Sequence, residues 1–236
     1  MDYFNRKHHK QPKTGDLMNY SPGELLFSVV KKQNSTHIVI STTVQHIAFV
    51  SDPSRSKYIV TLRNPTDRLI SYIFHAHNHK WIYENVEFDK FNGAFIHSAV
   101  VSLHKKLKEC LRDYEELACV YRYSSADGNL DAVLQHGLYV IYLEELFRFL
   151  PRESIYINQL EEYSANQLVE AAKIMKFFGH QFNETDSDIV LTSEKKMNSG
   201  HKTNVLPETI KLLNDLYRPY NIRLARLLGD NKWLYE

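Results

Sequence analysis

The stretch Tyr58-Ile59-Val60-Thr61-Leu62-Arg63-Asn64-Pro65-Thr66-Asp67-Arg68-Leu69-Ile70-Ser71-Tyr72 decides the fold. Residues 57 to 62 form a short β-branched run flanked by polar residues, the signature of a buried strand. Asn64-Pro65 then supplies a helix start, because proline fits the first helical position, where its missing N–H costs nothing. From there Leu69, Ile70, Ile73 and Phe74 recur at helical spacing to about residue 78. A strand that runs straight into a capped helix places Arg63 at the carboxyl edge of the sheet, where open α/β folds bind ligands. That position favours an anion: helix N-terminal amides carry partial positive charge, a guanidinium can make two parallel bonds to a phosphate, and the Ser71 hydroxyl adds a donor. The competing reading is an arginine that pairs with Asp67 or caps a neighbouring helix.

Working outward, a second β-branched run, His37-Ile38-Val39-Ile40-Ser41, precedes this unit, and Ser154-Ile155-Tyr156-Ile157-Asn158-Gln159-Leu160 reads as a further strand. Ser21-Pro22-Gly23-Glu24 opens a short helix through Val30. Longer helical zones are expected over 92 to 112, 130 to 148, 165 to 178 and 207 to 228. Strands alternating with helices imply βαβ units and a mostly parallel sheet covered by helices. The polar segment 183 to 205, with Lys195, Lys196, His201 and Lys202 bunched in it, reads as a surface loop.

Composition narrows the function classes. The chain has 236 residues, enough for a sizeable core, and 29 basic against 28 acidic residues leave a net charge of +1. Nothing global therefore advertises a nucleic-acid or membrane-surface partner, and any anion site must be local. Only 8 Gly and 7 Pro accompany 15 Tyr and 12 Phe, which argues for an ordered globular protein. The sequence holds no apolar run long enough to span a bilayer and no signal-peptide core at its start. Two cysteines, Cys110 and Cys119, allow one bridge at most, and sequons occur at Asn34 and Asn183. His75, His77 and His79 alternate at a spacing that suits no single helical face, so a metal site is not expected. Trp81 and Tyr83 beside them could stack on a sugar ring or simply pack.

The run from Arg63-Asn64-Pro65 to Ser71-Tyr72 resembles the 3′-phosphate-binding segment of sulfotransferases that use 3′-phosphoadenosine 5′-phosphosulfate (PAPS). The stretches 113 to 121 and 135 to 143, Gln159-Leu160-Glu161-Glu162, and Leu216-Tyr217-Arg218-Pro219-Tyr220-Asn221-Ile222-Arg223-Leu224-Ala225 resemble the Golgi carbohydrate sulfotransferases. The similarity is greatest to those acting on N-acetylgalactosamine of chondroitin, and it runs in order over about residues 35 to 229. The resemblance implies a P-loop nucleotide-kinase-like α/β sulfotransferase fold in one domain covering 1–236. It further implies PAPS as co-substrate without a metal, a glycosaminoglycan acceptor such as chondroitin or dermatan sulfate, and a Golgi location. By the same resemblance Arg63 and Ser71 hold the 3′-phosphate. Lys196 and Lys202 belong to a basic loop that could meet nucleotide phosphate or a sulfated glycan, with a solvated basic loop as the alternative.

Two family features are not found. The family's Lys-x-Gly-Thr-Thr loop, which grips the 5′-phosphosulfate, has no match. Pro12-Lys13-Thr14-Gly15 lacks a preceding apolar strand and is followed by Asp16. Asp2-Tyr3-Phe4-Asn5-Arg6 resembles the aromatic segment after that loop, so the domain is expected to be N-terminally incomplete and to lack its first strand. The glutamate that the family uses as base also has no counterpart: Ile40-Ser41-Thr42-Thr43-Val44-Gln45-His46 holds no carboxylate. Thr42 stands nearest and cannot act as a base, which leaves His46 as the candidate. An inactive sulfotransferase-like protein that binds 3′-phosphoadenosine 5′-phosphate without turnover is the alternative to an enzyme. Cys110 and Cys119 match in spacing a cysteine pair of the family's closest members. On one continuous helix they would lie about 13 Å apart, so a bridge requires the helix to end near Cys110, and two buried thiols are the alternative.

Overall fold

The computed structural model describes residues 57–78, 90–122, 130–192 and 205–235. The expected strand at 37 to 41, the helix after Ser21, and His46, Asn34, His79, Trp81, Tyr83, Lys195, Lys196, His201 and Lys202 lie outside the described residues. So does the N-terminal region that bears on a missing first strand.

Strand β1 (Tyr58–Leu62) and strand β2 (Ile155–Gln159) pair in parallel, with Tyr58 opposite Ile155 and Leu62 opposite Gln159. Tyr58, Val60 and Leu62 are buried while Ile59 and Thr61 are half-buried, so one face of β1 points into the core. The Thr61 hydroxyl donates to Asn158 Oδ1 at 2.8 Å, adding a side-chain rung to the ladder. Helix α1 (Pro65–Asn78) follows β1 after two residues. Its start is set as the sequence predicts. Asn64 Oδ1 accepts from the amides of Thr66 at 2.9 Å and Asp67 at 3.3 Å, and Pro65 occupies the first helical position.

Between the strands the chain is helical: α2 (Gly93–Asp113), α3 (Glu116–Arg122), α4 (Leu130–Gln135) and α5 (Tyr139–Phe149). The zone read as one helix over 130 to 148 is broken into α4 and α5 by a turn at His136-Gly137-Leu138. Glycine is required at this turn. A β-carbon on Gly137 would lie 2.6 Å from the Tyr217 ring, so the backbone passes too close to that ring for any residue but glycine.

After β2 come α6 (Leu160–Ala165), α7 (Gln167–Phe177), α8 (Glu184–Thr192) and α9 (Pro207–Leu228). Helix α8 corrects the reading of 183 to 205 as a loop throughout. It begins at a reciprocal cap in which the Asp186 amide donates to Asn183 Oδ1 and the Asn183 amide donates to Asp186 Oδ2, each at 3.0 Å. Helix α9 ends at Gly229, whose φ of 72° is the left-handed conformation of a helix C-cap. A 3-10 turn, Asn231–Leu234, then folds the tail back, with Trp233 buried.

The core gathers Val60, Leu69, Ile96, Leu143, Leu213 and Tyr217 from β1 and four helices, all with essentially no exposure. Full burial of an aliphatic side chain of this size contributes about 1.5–3 kcal/mol. Arg223 on α9 bonds Glu116 Oε2 at 2.6 Å and Glu144 Oε2 at 2.9 Å, tying α3 and α5 to the last helix. All three are part-exposed, so each pair is worth at most about 1 kcal/mol. No helix among the described residues is long and apolar enough to cross a membrane.

Cys110 and Cys119 form a disulfide with a Cα–Cα distance of 5.8 Å. Helix α2 ends three residues after Cys110, where the Tyr114 amide caps the Cys110 carbonyl at 2.8 Å, and α3 starts two residues later. The chain therefore reverses, and the separation expected on one continuous helix does not arise.

Candidate nucleotide site at the sheet edge

The carboxyl ends of β1 and β2 lie side by side, which brings Arg63 and Glu161 to one edge of the parallel pair. Arg63 is half-buried. Among the described residues its guanidinium has no hydrogen-bond or ion-pair partner, and Asp67 is not one. The competing reading of Arg63 as an ion-pair or helix-capping residue thus finds no support in the described contacts. Ser71 lies on α1, six residues beyond Pro65 and so about 9 Å along the axis. It too is half-buried, and its hydroxyl bonds to no described residue.

The backbone around Arg63 is held firmly. Tyr139, the first residue of α5, donates its hydroxyl to the Arg63 carbonyl at 2.9 Å. The next amide, that of Asn64, donates to Glu161 Oε1 at 2.8 Å. With the Thr66 and Asp67 amides spent on the Asn64 cap, the first turn of α1 has few free N–H groups for a ligand. The expected role of those amides as anion donors is therefore corrected, which leaves Arg63 and Ser71 as the candidate donors of this unit.

Behind the edge sits a buried polar cluster. Arg68, 5% exposed, donates to the Val133 carbonyl, and the Tyr217 hydroxyl donates to the Leu134 carbonyl at 2.8 Å. Burial raises the Tyr139 phenol above its ordinary value, with Arg68 opposing the shift. Burial and then the Arg68 charge push His136 down to about 3, so this imidazole is neutral at physiological pH. The C-terminal tail closes the opposite flank. Gln159 Nε2 donates to the Lys232 carbonyl at 3.4 Å, Lys232 Nζ bonds Glu162 Oε2 at 2.8 Å, and Asn221 Nδ2 donates to the Leu234 carbonyl at 3.3 Å. The Tyr235 hydroxyl is buried there without a hydrogen-bond partner among the described residues.

No cluster of metal-ligating side chains occurs among the described residues. His77 instead stacks flat on Phe91, with ring centroids 3.6 Å apart, as a packing residue. Arg63 and Ser71 are candidates named by their sequence motif. Tyr139 and Glu161 fall within stretches that the family resemblance marked, but nothing in the sequence assigned them a role.

Comparison with known proteins adds the family. The sulfotransferase domain model matches residues 3–212. Carbohydrate sulfotransferase 15 of Homo sapiens is 27% identical over 187 residues, covering 77% of this chain and 31% of that relative. The chain thus spans about a third of the human relative's length. Carbohydrate sulfotransferase 15 of Nototodarus sloanii is 29% identical over 138 residues, covering 56% of this chain and 85% of that relative. A crystal structure of a sulfotransferase from Alicyclobacillus acidocaldarius aligns with 81% of this chain and 62% of its own, at 18% identity and a TM-score of 0.48. With its parallel strands, their flanking helices and a family match over most of its length, the chain belongs to the sulfotransferase domain family.

Proposed function

We propose that this chain, as a single sulfotransferase domain, binds PAPS through Arg63 and Ser71 and transfers its sulfuryl group to a hydroxyl of a carbohydrate. The observation that carries the reading is the Arg63 guanidinium, without a partner among the described residues, at the carboxyl edge of a parallel strand pair on a backbone fixed from two sides. A half-buried cation that no described residue neutralises suits an anion, and the planar guanidinium matches the 3′-phosphate. Ser71 adds a neutral donor from the same helix. The residues present fit the nucleotide half of the donor.

When bound, the donor supplies an activated sulfuryl group whose leaving group is a phosphate. Sulfuryl transfer, like phosphoryl transfer, needs positioning and cationic groups near the equatorial oxygens. Lys196 and Lys202 are proposed as further phosphate contacts and His46 as the base, all three from segments outside the described residues. The similarity to carbohydrate sulfotransferase 15 supports a glycan acceptor, and glycosaminoglycan N-acetylgalactosamine, as in chondroitin or dermatan sulfate, is the acceptor we favour. The Cys110–Cys119 bridge is consistent with an oxidising compartment such as the Golgi lumen.

Calorimetry with 3′-phosphoadenosine 5′-phosphate tests the reading. Wild type binds, and Arg63→Ala loses about 1.5–3 kcal/mol, a factor of about 10 to 150, as expected for one charge-assisted contact. A folded wild type that does not bind refutes it. Binding without sulfate transfer to chondroitin identifies the inactive alternative.

A further inference from the structure

Arg63 can grip a phosphate only if its own backbone stays in place, and the structure shows how this is achieved. The Arg63-Asn64-Pro65 turn is restricted locally, since proline fixes its own φ and confines the preceding Asn64 to extended conformations. Two long-range bonds then seize it from opposite sides of one peptide unit. Tyr139 approaches from α5, 76 positions away in sequence, and takes the Arg63 carbonyl. Glu161 approaches from α6, 97 positions away, and takes the Asn64 N–H.

The two contacts differ in kind. Tyr139 is 3% exposed, and its hydroxyl donates to the Arg63 carbonyl at 2.9 Å. A carbonyl oxygen only accepts, so the phenolic proton lies on the line to the Arg63 carbonyl. Glu161 is exposed, and its carboxylate accepts with only one oxygen assigned among the described residues. One contact is buried and directional, the other solvated and charge-assisted. Neither residue is needed to satisfy the helix: the α1 start is already capped by Asn64.

We propose that Tyr139 and Glu161 are positioning residues of this site, clamping the Arg63–Asn64 peptide so that the Arg63 guanidinium meets a nucleotide 3′-phosphate without backbone reorganisation. The inference rests on the nucleotide reading above and deepens it by naming residues that touch no ligand. Preorganisation of this sort lowers the ordering cost of binding and adds no contact of its own. Its signature is selective: a loosened clamp weakens only ligands that use Arg63.

The test measures binding of adenosine 3′,5′-bisphosphate and of adenosine 5′-monophosphate, which lacks the 3′-phosphate. The proteins are the wild type, Tyr139→Phe, Arg63→Ala and the double variant. Tyr139→Phe removes one oxygen and keeps the packing. It is expected to weaken the bisphosphate about 3- to 10-fold and to leave the monophosphate unchanged. In the Arg63→Ala background it should cost nothing further. Glu161→Ala, at an exposed position where folding is not at stake, should repeat this selectivity and serves if Tyr139→Phe does not fold. Equal losses for both nucleotides, or the same loss with and without Arg63, overturn the clamp and leave the nucleotide site standing. A folded wild type that binds neither nucleotide overturns the nucleotide reading, and the clamp with it.

Discussion

Replacing Gly137 with alanine should destabilise the protein and disturb the nucleotide site together. The added β-carbon would stand 2.6 Å from Tyr217 Cε1, 2.8 Å from Cζ and 2.9 Å from the phenolic oxygen. Tyr217 cannot yield cheaply, because it is fully buried and donates its hydroxyl to the Leu134 carbonyl at 2.8 Å. Overpacking of this sort costs about 1–3 kcal/mol, and a displaced buried hydroxyl about 1–3 kcal/mol more. Reduced freedom of the unfolded chain returns about 0.4–1 kcal/mol, leaving a net loss of about 1–5.5 kcal/mol. Tyr139 follows two residues later, so the same shift moves the hydroxyl that holds the Arg63 carbonyl. Urea unfolding of wild type and Gly137→Ala measures the first effect, and titration with 3′-phosphoadenosine 5′-phosphate the second. The pair Gly137→Ala/Tyr217→Leu should lose at least about 1 kcal/mol less than the two single variants summed, because leucine lacks the ring edge. A Gly137→Ala protein within about 0.5 kcal/mol of wild type would refute the steric argument.

Acid should weaken the fold partly through His136. Its folded value of about 3 lies below the unfolded value, so protons bind the unfolded chain first as pH drops below about 6.5. Stability present above that pH is then lost toward pH 3, at up to about 1.4 kcal/mol per unit. His136→Gln should flatten the fall of the urea midpoint between pH 7 and pH 5, and an unchanged slope would refute the assignment. Asn183 should carry a glycan when the chain passes through a eukaryotic secretory pathway: it is exposed, and transfer to Nδ2 leaves Oδ1 free to keep its 3.0 Å cap on Asp186. Endoglycosidase treatment should shift wild type more than Asn183→Gln; equal shifts would show the site unused.

Much of the frame was legible because its signals are local. The β-branched run before Arg63, the Asn64-Pro65 start of α1 and the long periodic pattern of α9 each carry their information within a few neighbouring residues. Helix α8 was missed for the opposite reason. Asp186, Ser187 and Asp188 give it no apolar stripe, and what starts it is a reciprocal cap rather than a buried face. The need for glycine at position 137 depends on a ring 80 positions away, which no local pattern encodes. The site divides along the same line. Arg63 and Ser71 belong to one contiguous motif, whereas the partners of the Arg63 backbone come from α5 and α6 and exist only once those elements are packed.

The parallel pairing of β1 with β2 also dictates when the site can exist. Tyr58 meets Ile155 across 97 positions of mostly helical chain, and the Asn64–Glu161 and Thr61–Asn158 bonds span the same interval. Local helices close quickly, while contacts of such separation must await the costly closure of a long loop. The edge proposed to bind nucleotide is therefore among the last features to assemble. If the proposed site binds, affinity for a 3′-phosphorylated nucleotide would report that the chain has finished folding, and a bound nucleotide would shield the slowest-formed contact from reopening.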